Sequence, residues 1–213
     1  MPQVFVNVGF GFLAGLLFLS ISPAIAQQGA HTAQCTGPFS KDADEARLNK
    51  AFGSGNVIRS QIHVGEGFNE SGNVVFPKDP KRSVYVLWHD KRKRRRPAAI
   101  IFPPGSDWQI QLRADQPIGI GTSLDAIEVM NGRAFTLYGF AWEHGGEVAN
   151  WNGGVLDRPN PKDCIIVLRF EPHPETSSAD FDPVVGDGDF SSADPKMKAT
   201  RPSIAEMTLR WPQ

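Results

Sequence analysis

The chain has 213 residues, of which 22 are lysine or arginine and 23 are aspartate or glutamate, giving a formal net charge of −1 at pH 7. This balance argues against a protein that is drawn to nucleic acid or to a membrane by its overall charge, so any electrostatic role must be local. The length is sufficient for one sizeable core or for two small fused units.

Residues 1–26 predict a secretory signal peptide. Val4–Ile25 is apolar and uncharged, and Ala24 and Ala26 flank Ile25 in the small-residue pattern of a cleavage site. No lysine or arginine precedes the apolar run, and a retained membrane anchor is the alternative interpretation. We expect cleavage after Ala26 and a periplasmic or secreted chain that has no membrane span.

Two cysteines, Cys35 and Cys164, remain in the exported chain. In an oxidising compartment an even number of cysteines favours a disulfide, so we predict a Cys35–Cys164 bond. It would close a loop of more than a hundred residues and contribute on the order of 4 kcal/mol in the chain-entropy description. A catalytic thiol is the alternative, and no neighbouring motif supports it.

The first predicted elements are a helix and an antiparallel meander. Ser40 or Asp42 is the expected N-cap, Leu48 and Phe52 lie on the apolar face, and Gly53 ends the helix. Alternating apolar residues and intervening turns then predict strands at Val57–Val64, Val74–Phe76, Ser83–Trp88 and Ala98–Phe102.

A run of six cations follows the third of these strands: Lys91, Arg92, Lys93, Arg94, Arg95 and Arg96. Mutual repulsion keeps such a run at the surface. It is a candidate patch for phosphate, lipopolysaccharide or an acidic protein surface, and the alternative is a solvated hairpin tip that limits edge-to-edge aggregation. Nucleic acid is not expected as a partner, because no aromatic platforms accompany the cations.

A second helix begins at Thr122 or Ser123 and ends at Gly132. The run 134–142 is apolar and aromatic at successive positions, which predicts a strand that is covered on both faces. Residues 172–198 are rich in proline, serine, glycine and aspartate and predict a long acidic surface loop.

Calcium is an alternative role for this loop, through Asp182, Asp187 and Asp189, although the EF-hand spacing is absent. Beyond the loop, the apolar residues of a final alternating run predict a closing strand. They are Ile204, Met207, Leu209 and Trp211.

The two halves of the chain share a register of 79 residues. The pairs with this offset include Leu48 and Ile127, Gly53 and Gly132, and Gly67 and Gly146. The pattern predicts an α+β fold of two tandem units, each a short helix packed on an antiparallel β-meander sheet. Their expected limits are 27–104 and 105–213, the second unit including the acidic loop and the closing strand.

A family resemblance supports this interpretation. Gly121-Thr122-Ser123, Ile127 and Gly132-Arg133-Ala134 resemble the G-[MT]-[ST]-x3-[VI]-x4-G-x-P pattern of the SmpA/OmlA-type outer-membrane assembly lipoproteins. That family shares its helix-plus-sheet unit with the β-lactamase inhibitor proteins, which are tandem duplications of it. This chain departs from the pattern at Asn131 and Ala134 and has no lipobox. As a whole it resembles a set of exported bacterial proteins, through NGRAFTLYGFAWEHGG and WNGG, which implies a periplasmic location and no particular activity.

Two sets of residues are candidates for a functional site. One helix per unit covers only one face of a sheet, so aromatic residues on or beside predicted strands could meet a partner on the open face or, alternatively, build the core. They are Tyr85, Trp88, Trp108, Tyr138, Phe140, Trp142 and Trp151. A metal or acid–base site is the second candidate, with His63, Glu66, His144 and Glu147 at glycine turns; surface polar groups are its alternative.

No nucleophile elbow, zinc-protease helix or phosphate-binding loop is present in the sequence. We therefore expect a non-enzymatic exported binding protein, without a cofactor, that recognises an unknown protein or a cell-envelope component and acts as an inhibitor or interaction module. The alternative is a metal-dependent enzyme or a metal-binding protein.

Overall fold

The structure is a computed structural model that describes residue 1 and residues 31–113, 116–157 and 164–211. Residues 2–26 of the predicted signal peptide and its cleavage site lie outside the described residues. The strands, in chain order, are β1 (Thr32–Ala33), β2 (Val57–His63), β3 (Asn69–Val75), β4 (Val84–Asp90), β5 (Arg95–Phe102), β6 (Gln109–Arg113), β7 (Gln116–Gly119), β8 (Thr136–Tyr138), β9 (Val148–Asn150), β10 (Ile165–Glu171), β11 (Asp189–Ser191) and β12 (Ser203–Arg210). The α-helices are α1 (Glu45–Phe52), α2 (Leu124–Asn131), α3 (Ser178–Phe181) and α4 (Pro195–Ala199), and short 3-10 turns occur at Gly37–Phe39, Ser54–Asn56, Val155–Asp157 and Asp182–Val184.

Three sheets organise these strands. The largest has six antiparallel strands in the order β10-β12-β5-β4-β3-β2, and the others have the orders β1-β6-β7 and β11-β8-β9. Only β1 and β6 pair in parallel among the described strands. The predicted α+β class is therefore confirmed, with mostly antiparallel sheets and a few short helices. Strands from both sides of residue 104 share the large sheet, so the two halves do not form separate sheets.

Both predicted helices are present, and local signals explain their ends. The Asp44 carboxylate accepts the Arg47 backbone N–H at 2.8 Å, and the Ser123 hydroxyl accepts the Ala126 N–H at 3.2 Å. Gly132 ends α2 in the left-handed conformation, with φ of 75°. The N-cap of α1 is thus Asp44, which corrects the expectation of Ser40 or Asp42.

The main core lies on one face of the large sheet. Leu48 of α1 and Ile127 of α2 are completely buried there. Ile110 and Ile118 of the small sheet β1-β6-β7 are also buried, at 1 and 0% exposed. They pack with the inward side chains of the large sheet, including Ile100. Helices and small sheet therefore shield the same face, because each carries one apolar side that must leave water.

The disulfide between Cys35 and Cys164 is present, with a Cα–Cα distance of 6.0 Å, which confirms the prediction. Both cysteines are buried in the main core. The bond fastens the residues that follow β1 to the start of β10.

Two predictions about the second half are wrong. The strand predicted over residues 134–142 is limited to β8, because Ala141 adopts a positive φ of 65° and the chain turns there. The segment 172–198 is not an irregular loop, since it forms α3 and β11 and most of α4, and β11 pairs with β8. The closing strand is confirmed as β12, whose Ile204, Met207 and Leu209 are buried.

A polar network holds α1 against the large sheet. The Glu45 carboxylate accepts two hydrogen bonds from the Arg59 guanidinium, at 2.9 and 2.7 Å, and one from the Asn73 amide at 2.9 Å. Asn73 is itself buried, and its side-chain oxygen accepts the Trp88 indole N–H at 2.8 Å. Hydrogen bonds from Arg59, followed by those from Asn73 and the charge of Arg94, lower the pKa of Glu45 to about 2.

We expect Glu45→Gln to lower the free energy of unfolding at pH 7 by about 2 kcal/mol. This is less than the full pKa shift of Glu45 would give, because solvent screens the interaction with the exposed Arg59. The folded-state pKa is depressed, so this stability is present above the ordinary pKa of a glutamate and is lost as the pH falls towards 2. Urea unfolding at pH 7 and near pH 2 measures the difference. Glu175→Gln, at a side chain 80% exposed, is the control; an equal loss for Glu45→Gln at both pH values would contradict the linkage.

Candidate functional site

The large sheet has a second face that carries its own small apolar cluster. Side chains alternate along β4, so Tyr85 and Leu87 point away from the main core that receives Val84 and Val86. The members of the second cluster, which we call the open face, are Ile62, Val74, Tyr85, Leu87, Ala98, Ala99 and Ile101. All of them belong to strands of the large sheet, and no described helix or residue of another sheet joins this cluster.

The structure divides the seven aromatic candidates. Trp88, Trp108 and Phe140 are 1, 4 and 3% exposed, so the expectation that they reach an open surface is wrong for these three. They fill the main core, where burial of large rings contributes most to stability. Trp151 is half-buried and packs against the main core.

Tyr85, Tyr138 and Trp142 are the aromatic candidates that remain accessible. Tyr85 lies in the open face and is half-buried. Trp142 is 36% exposed, and its ring meets those of Tyr138 and His144 edge-on, at centroid distances of 5.4 and 5.3 Å. The sequence did not single out Phe68, which is 66% exposed in the turn between β2 and β3.

Two turns that are far apart in the sequence meet just after the end of β2. One is the turn 64–68 after β2, and the other is the connection 139–147 between β8 and β9. The Glu143 carboxyl group lies against the backbone of Gly65, the residue before Glu66. His144 Nδ1 is 3.5 Å from Glu147 Oε2. We call this group, Gly65, Glu66, Glu143, His144 and Glu147, the hairpin junction.

The hairpin junction contains three of the four residues predicted for a metal or acid–base site. The fourth, His63, is paired with Asn69 at the end of β2 and is not among the charged groups that act on Glu143. In the part of the chain that the structure describes, no three histidine, cysteine, aspartate or glutamate side chains are arranged to hold a metal ion. This geometry does not support the metal alternative, nor calcium at Asp182, Asp187 and Asp189.

The electrostatics of the junction are dominated by carboxylates. Partial desolvation, the hydrogen bond from Glu66 and the Glu66 charge raise the pKa of Glu143, while His144 opposes the shift. On the neighbouring strand β12, desolvation is the main cause that raises the pKa of Glu206, and the charge of Glu147 adds to it. The junction therefore carries negative charge that the protein compensates only weakly.

A cleft of about 480 Å³ borders the junction on the side of β10. Its apolar walls include Phe140, Trp142 and Phe181, and its polar groups are Arg169 and Glu171. These two side chains bind each other, with Arg169 Nη1 2.7 Å from Glu171 Oε1. The cleft therefore presents aromatic surface together with an ion pair that is already satisfied.

The six cations predicted as an anionic-ligand patch occupy the turn between β4 and β5 and the start of β5. Lys91 binds Glu70 at 2.9 Å, Arg94 lies 3.7 Å from Glu45, and Arg95 lies 3.6 Å from Asp90. The other three, Arg92, Lys93 and Arg96, are exposed and form no ion pair with another described residue. Half of the patch is therefore neutralised by the fold.

Comparisons with known proteins do not add an identity. No protein-family model matches this sequence, and neither the curated proteins nor the solved structures contain a match. None of the helices in the described ranges has both the length and the apolar character that crossing a membrane requires.

We expect Glu143→Gln to increase the free energy of unfolding at pH 7, because the amide removes a charge that repels Glu66. Because the pKa of Glu143 is raised, its contribution to the free energy of unfolding is largest when the carboxyl group is protonated. That contribution is lost as the pH rises through the folded-state pKa. Thermal unfolding from pH 4 to pH 8 measures the effect: the variant and the wild type should converge at acid pH and separate at neutral pH. A variant that is less stable than the wild type at pH 7 would contradict the repulsion.

Proposed function

We propose that this chain is a non-enzymatic exported binding protein, built from two tandem copies of a helix-plus-meander unit, that recognises a partner protein through its open face and hairpin junction. The observation that carries the proposal is the second apolar cluster, which contains strand residues only: Ile62, Leu87 and Ala99 are buried in it, and Val74, Tyr85, Ala98 and Ile101 remain partly accessible. Partly accessible apolar side chains that adjoin one another on a sheet are typical of interaction sites.

The two helices support the tandem arrangement. The first and last residues of α2 each lie 79 positions after those of α1, and the N-caps Asp44 and Ser123 keep the same offset. Each N-cap also forms an isolated antiparallel bridge to the first residue of an eight-residue strand, Arg95 of β5 or Ser203 of β12. Such equivalence in backbone pairing is harder to obtain by chance than a match of glycines.

The backbone hydrogen bonds at these bridges repeat as well. The Glu45 N–H donates to the Arg94 carbonyl, as the Leu124 N–H donates to the Pro202 carbonyl. The strands that precede β5 and β12 also correspond, because β10 begins and ends 81 residues after β4. The segment with α3, β11 and α4 is then an insertion in the second copy, at the position where the first copy has the basic turn.

The pairing of β5 with β12 has the symmetry of two related units placed side by side. Ala99 pairs with Arg210, and Phe102 pairs with Met207. Exchanging each residue for its equivalent in the other strand, 108 positions away, converts one of these pairs into the other. A local two-fold axis between β5 and β12 would produce this register.

A protein partner fits the open face better than a small molecule does. The face is part of a sheet and combines half-buried Tyr85 and Ile101 with exposed Phe68 and Trp142 nearby. Aromatic residues of this kind dominate the binding energy of protein interfaces. The disulfide is compatible with an oxidising, exported location.

Substitution of the open face tests the proposal. We expect the double variant Tyr85→Ala and Ile101→Lys to retain the fold but to lose at least tenfold in binding to proteins that the wild type captures from a bacterial periplasmic extract, because a hot spot costs about 2 kcal/mol or more. Quantitative mass spectrometry of the captured proteins is the measurement. Val129→Lys, on the exposed side of α2, is the matched control and should capture the same proteins as the wild type.

If wild type, control and open-face variant capture the same proteins in the same amounts, the open face does not bind them. Thermal unfolding of each variant establishes that a loss of capture does not come from a loss of structure.

A further inference from the structure

The strand β2 forms one edge of the large sheet, and its outward backbone groups can be identified. At one end of β2 the Asn56 carbonyl accepts the Phe76 N–H at 2.7 Å, and at the other end the Val64 N–H donates to a carbonyl of the following turn at 3.0 Å. The register with β3 is unbroken between these bonds, so the even-numbered residues of β2 are the ones that bond to β3. The odd-numbered residues therefore turn their N–H and C=O groups outwards. They are Val57, Arg59, Gln61 and His63.

Among the described residues, no backbone group pairs with these four from the outer side of β2. The Gln61 carbonyl accepts only the hydroxyl of its neighbour Ser60, at 3.3 Å. Unpaired N–H and C=O groups in a row are a template for the addition of another strand.

The other described sheet edges are protected against such pairing. β10 has a bulge between Arg169 and Phe170, and the Phe170 N–H donates to the Gly146 carbonyl at 2.9 Å. β7 contains Pro117, and β1, β9 and β11 have two or three residues each. Bulges, prolines, covering segments and short length are the means by which proteins keep an edge from pairing with another chain. β2 has seven residues, no proline and no bulge.

The sequence of β2 is complementary to itself when two copies pair antiparallel about Ser60. Arg59 then lies opposite Gln61 of the second copy, and Val57 lies opposite His63 of the second copy, so every outward residue exchanges both backbone hydrogen bonds. This register pairs all seven residues. A shift by one pair in one direction would place Arg59 opposite Arg59 of the second copy, which is a repulsive pair. A shift in the other direction would place Val57 opposite Gly65, beyond the end of the strand.

Ile58 supports the same register. It is 44% exposed, and it lies on the same side of the sheet as Ile62 because side chains alternate along a strand. In the pair of strands about Ser60, Ile58 lies opposite Ile62 of the second copy. This is a position without backbone hydrogen bonds, where facing side chains are closest. Pairing would therefore remove an exposed isoleucine of each copy from water.

We infer that β2 is an interface between two copies of this chain, which pair antiparallel about Ser60 and join their large sheets into one continuous sheet. The inference goes beyond the proposed function and does not depend on it, because backbone groups at the sheet edge carry it. A single strand pair is a small interface, so the dimer is reversible, with a dissociation constant on the order of micromolar.

Charge substitutions at Gln61 test the pairing. We expect Gln61→Glu to tighten the dimer at least about threefold, because a carboxylate of each copy then lies opposite Arg59 of the other. We expect Gln61→Arg to weaken it at least about threefold, because like charges then meet. Sedimentation velocity of the purified protein, diluted through the micromolar range with its disulfide intact, measures the dissociation constant. Gln116→Arg, at an exposed glutamine in the edge strand β7, is the matched control and should dimerise as the wild type does.

A cysteine at the two-fold axis tests the register. The two native cysteines are bonded to each other, so an introduced thiol is the only free one. In Ser60→Cys the facing Cα atoms would be about 4.5 Å apart, which a disulfide can bridge. In Ile58→Cys the two Cα atoms would be offset along the strands by about 13 Å, which it cannot. We expect Ser60→Cys to form a covalent dimer on mild oxidation and Ile58→Cys to form little, as measured by non-reducing electrophoresis.

A protein that stays monomeric throughout the dilution series would overturn the inference. So would a dimer that neither Gln61 variant changes and that Ser60→Cys links no better than Ile58→Cys. Thermal unfolding of each variant establishes that a lost dimer does not come from a lost fold.

Hydrogen exchange identifies any other occupant of the edge. We expect the outward amides of Arg59 and Gln61 to exchange rapidly in the monomer and more slowly as the dimer forms. Slow exchange that is already present in the monomer would show that another segment of the same chain covers β2. Slow exchange that appears only when a different protein is added would assign the edge to a foreign strand. Either result would overturn the assignment to a second copy.

Discussion

The antiparallel pairing of β5 with β12 is the constraint on which the rest of the structure depends. It joins strands that are about a hundred residues apart into the middle of one sheet, through four residue pairs from Ala99–Arg210 to Phe102–Met207. Ile100 and Leu209 face each other in this pairing and are completely buried. The last strand of the chain is therefore central, so folding of the first half is coupled to synthesis and closure of the second.

This central pairing also decides which face of the large sheet carries the main core. Both helices and the small sheet β1-β6-β7 pack on the same side of the joined strands, and the other side keeps its strand-only cluster. The turns at Glu66 and Glu143 follow strands of different sheets, β2 of the large sheet and β8 of the sheet β11-β8-β9, and they meet where Glu143 lies against Gly65.

Two glutamates illustrate how the fold shifts the pKa of one type of side chain in opposite directions. Glu45 has Arg59 and Asn73 as partners, its pKa falls to about 2, and its charge anchors α1. Partial desolvation and the neighbouring carboxyl group of Glu66 raise the pKa of Glu143. The same type of side chain is therefore stabilised as a carboxylate in one place and destabilised in the other, because the charges around it differ.

The sequence by itself determined the features that depend on local chemistry: two short helices through their caps and terminal glycines, most strands through alternation, the disulfide through the only two cysteines, and the basic turn. Tertiary structure alone decided that β1, β6 and β7 form a sheet, that 172–198 is ordered, and that Trp88, Trp108 and Phe140 are buried. It also placed Glu66 beside Glu143, which are 77 positions apart. Caps and turns act within a few residues, whereas burial and carboxyl contacts depend on which distant strands pair, and no local pattern encodes that choice.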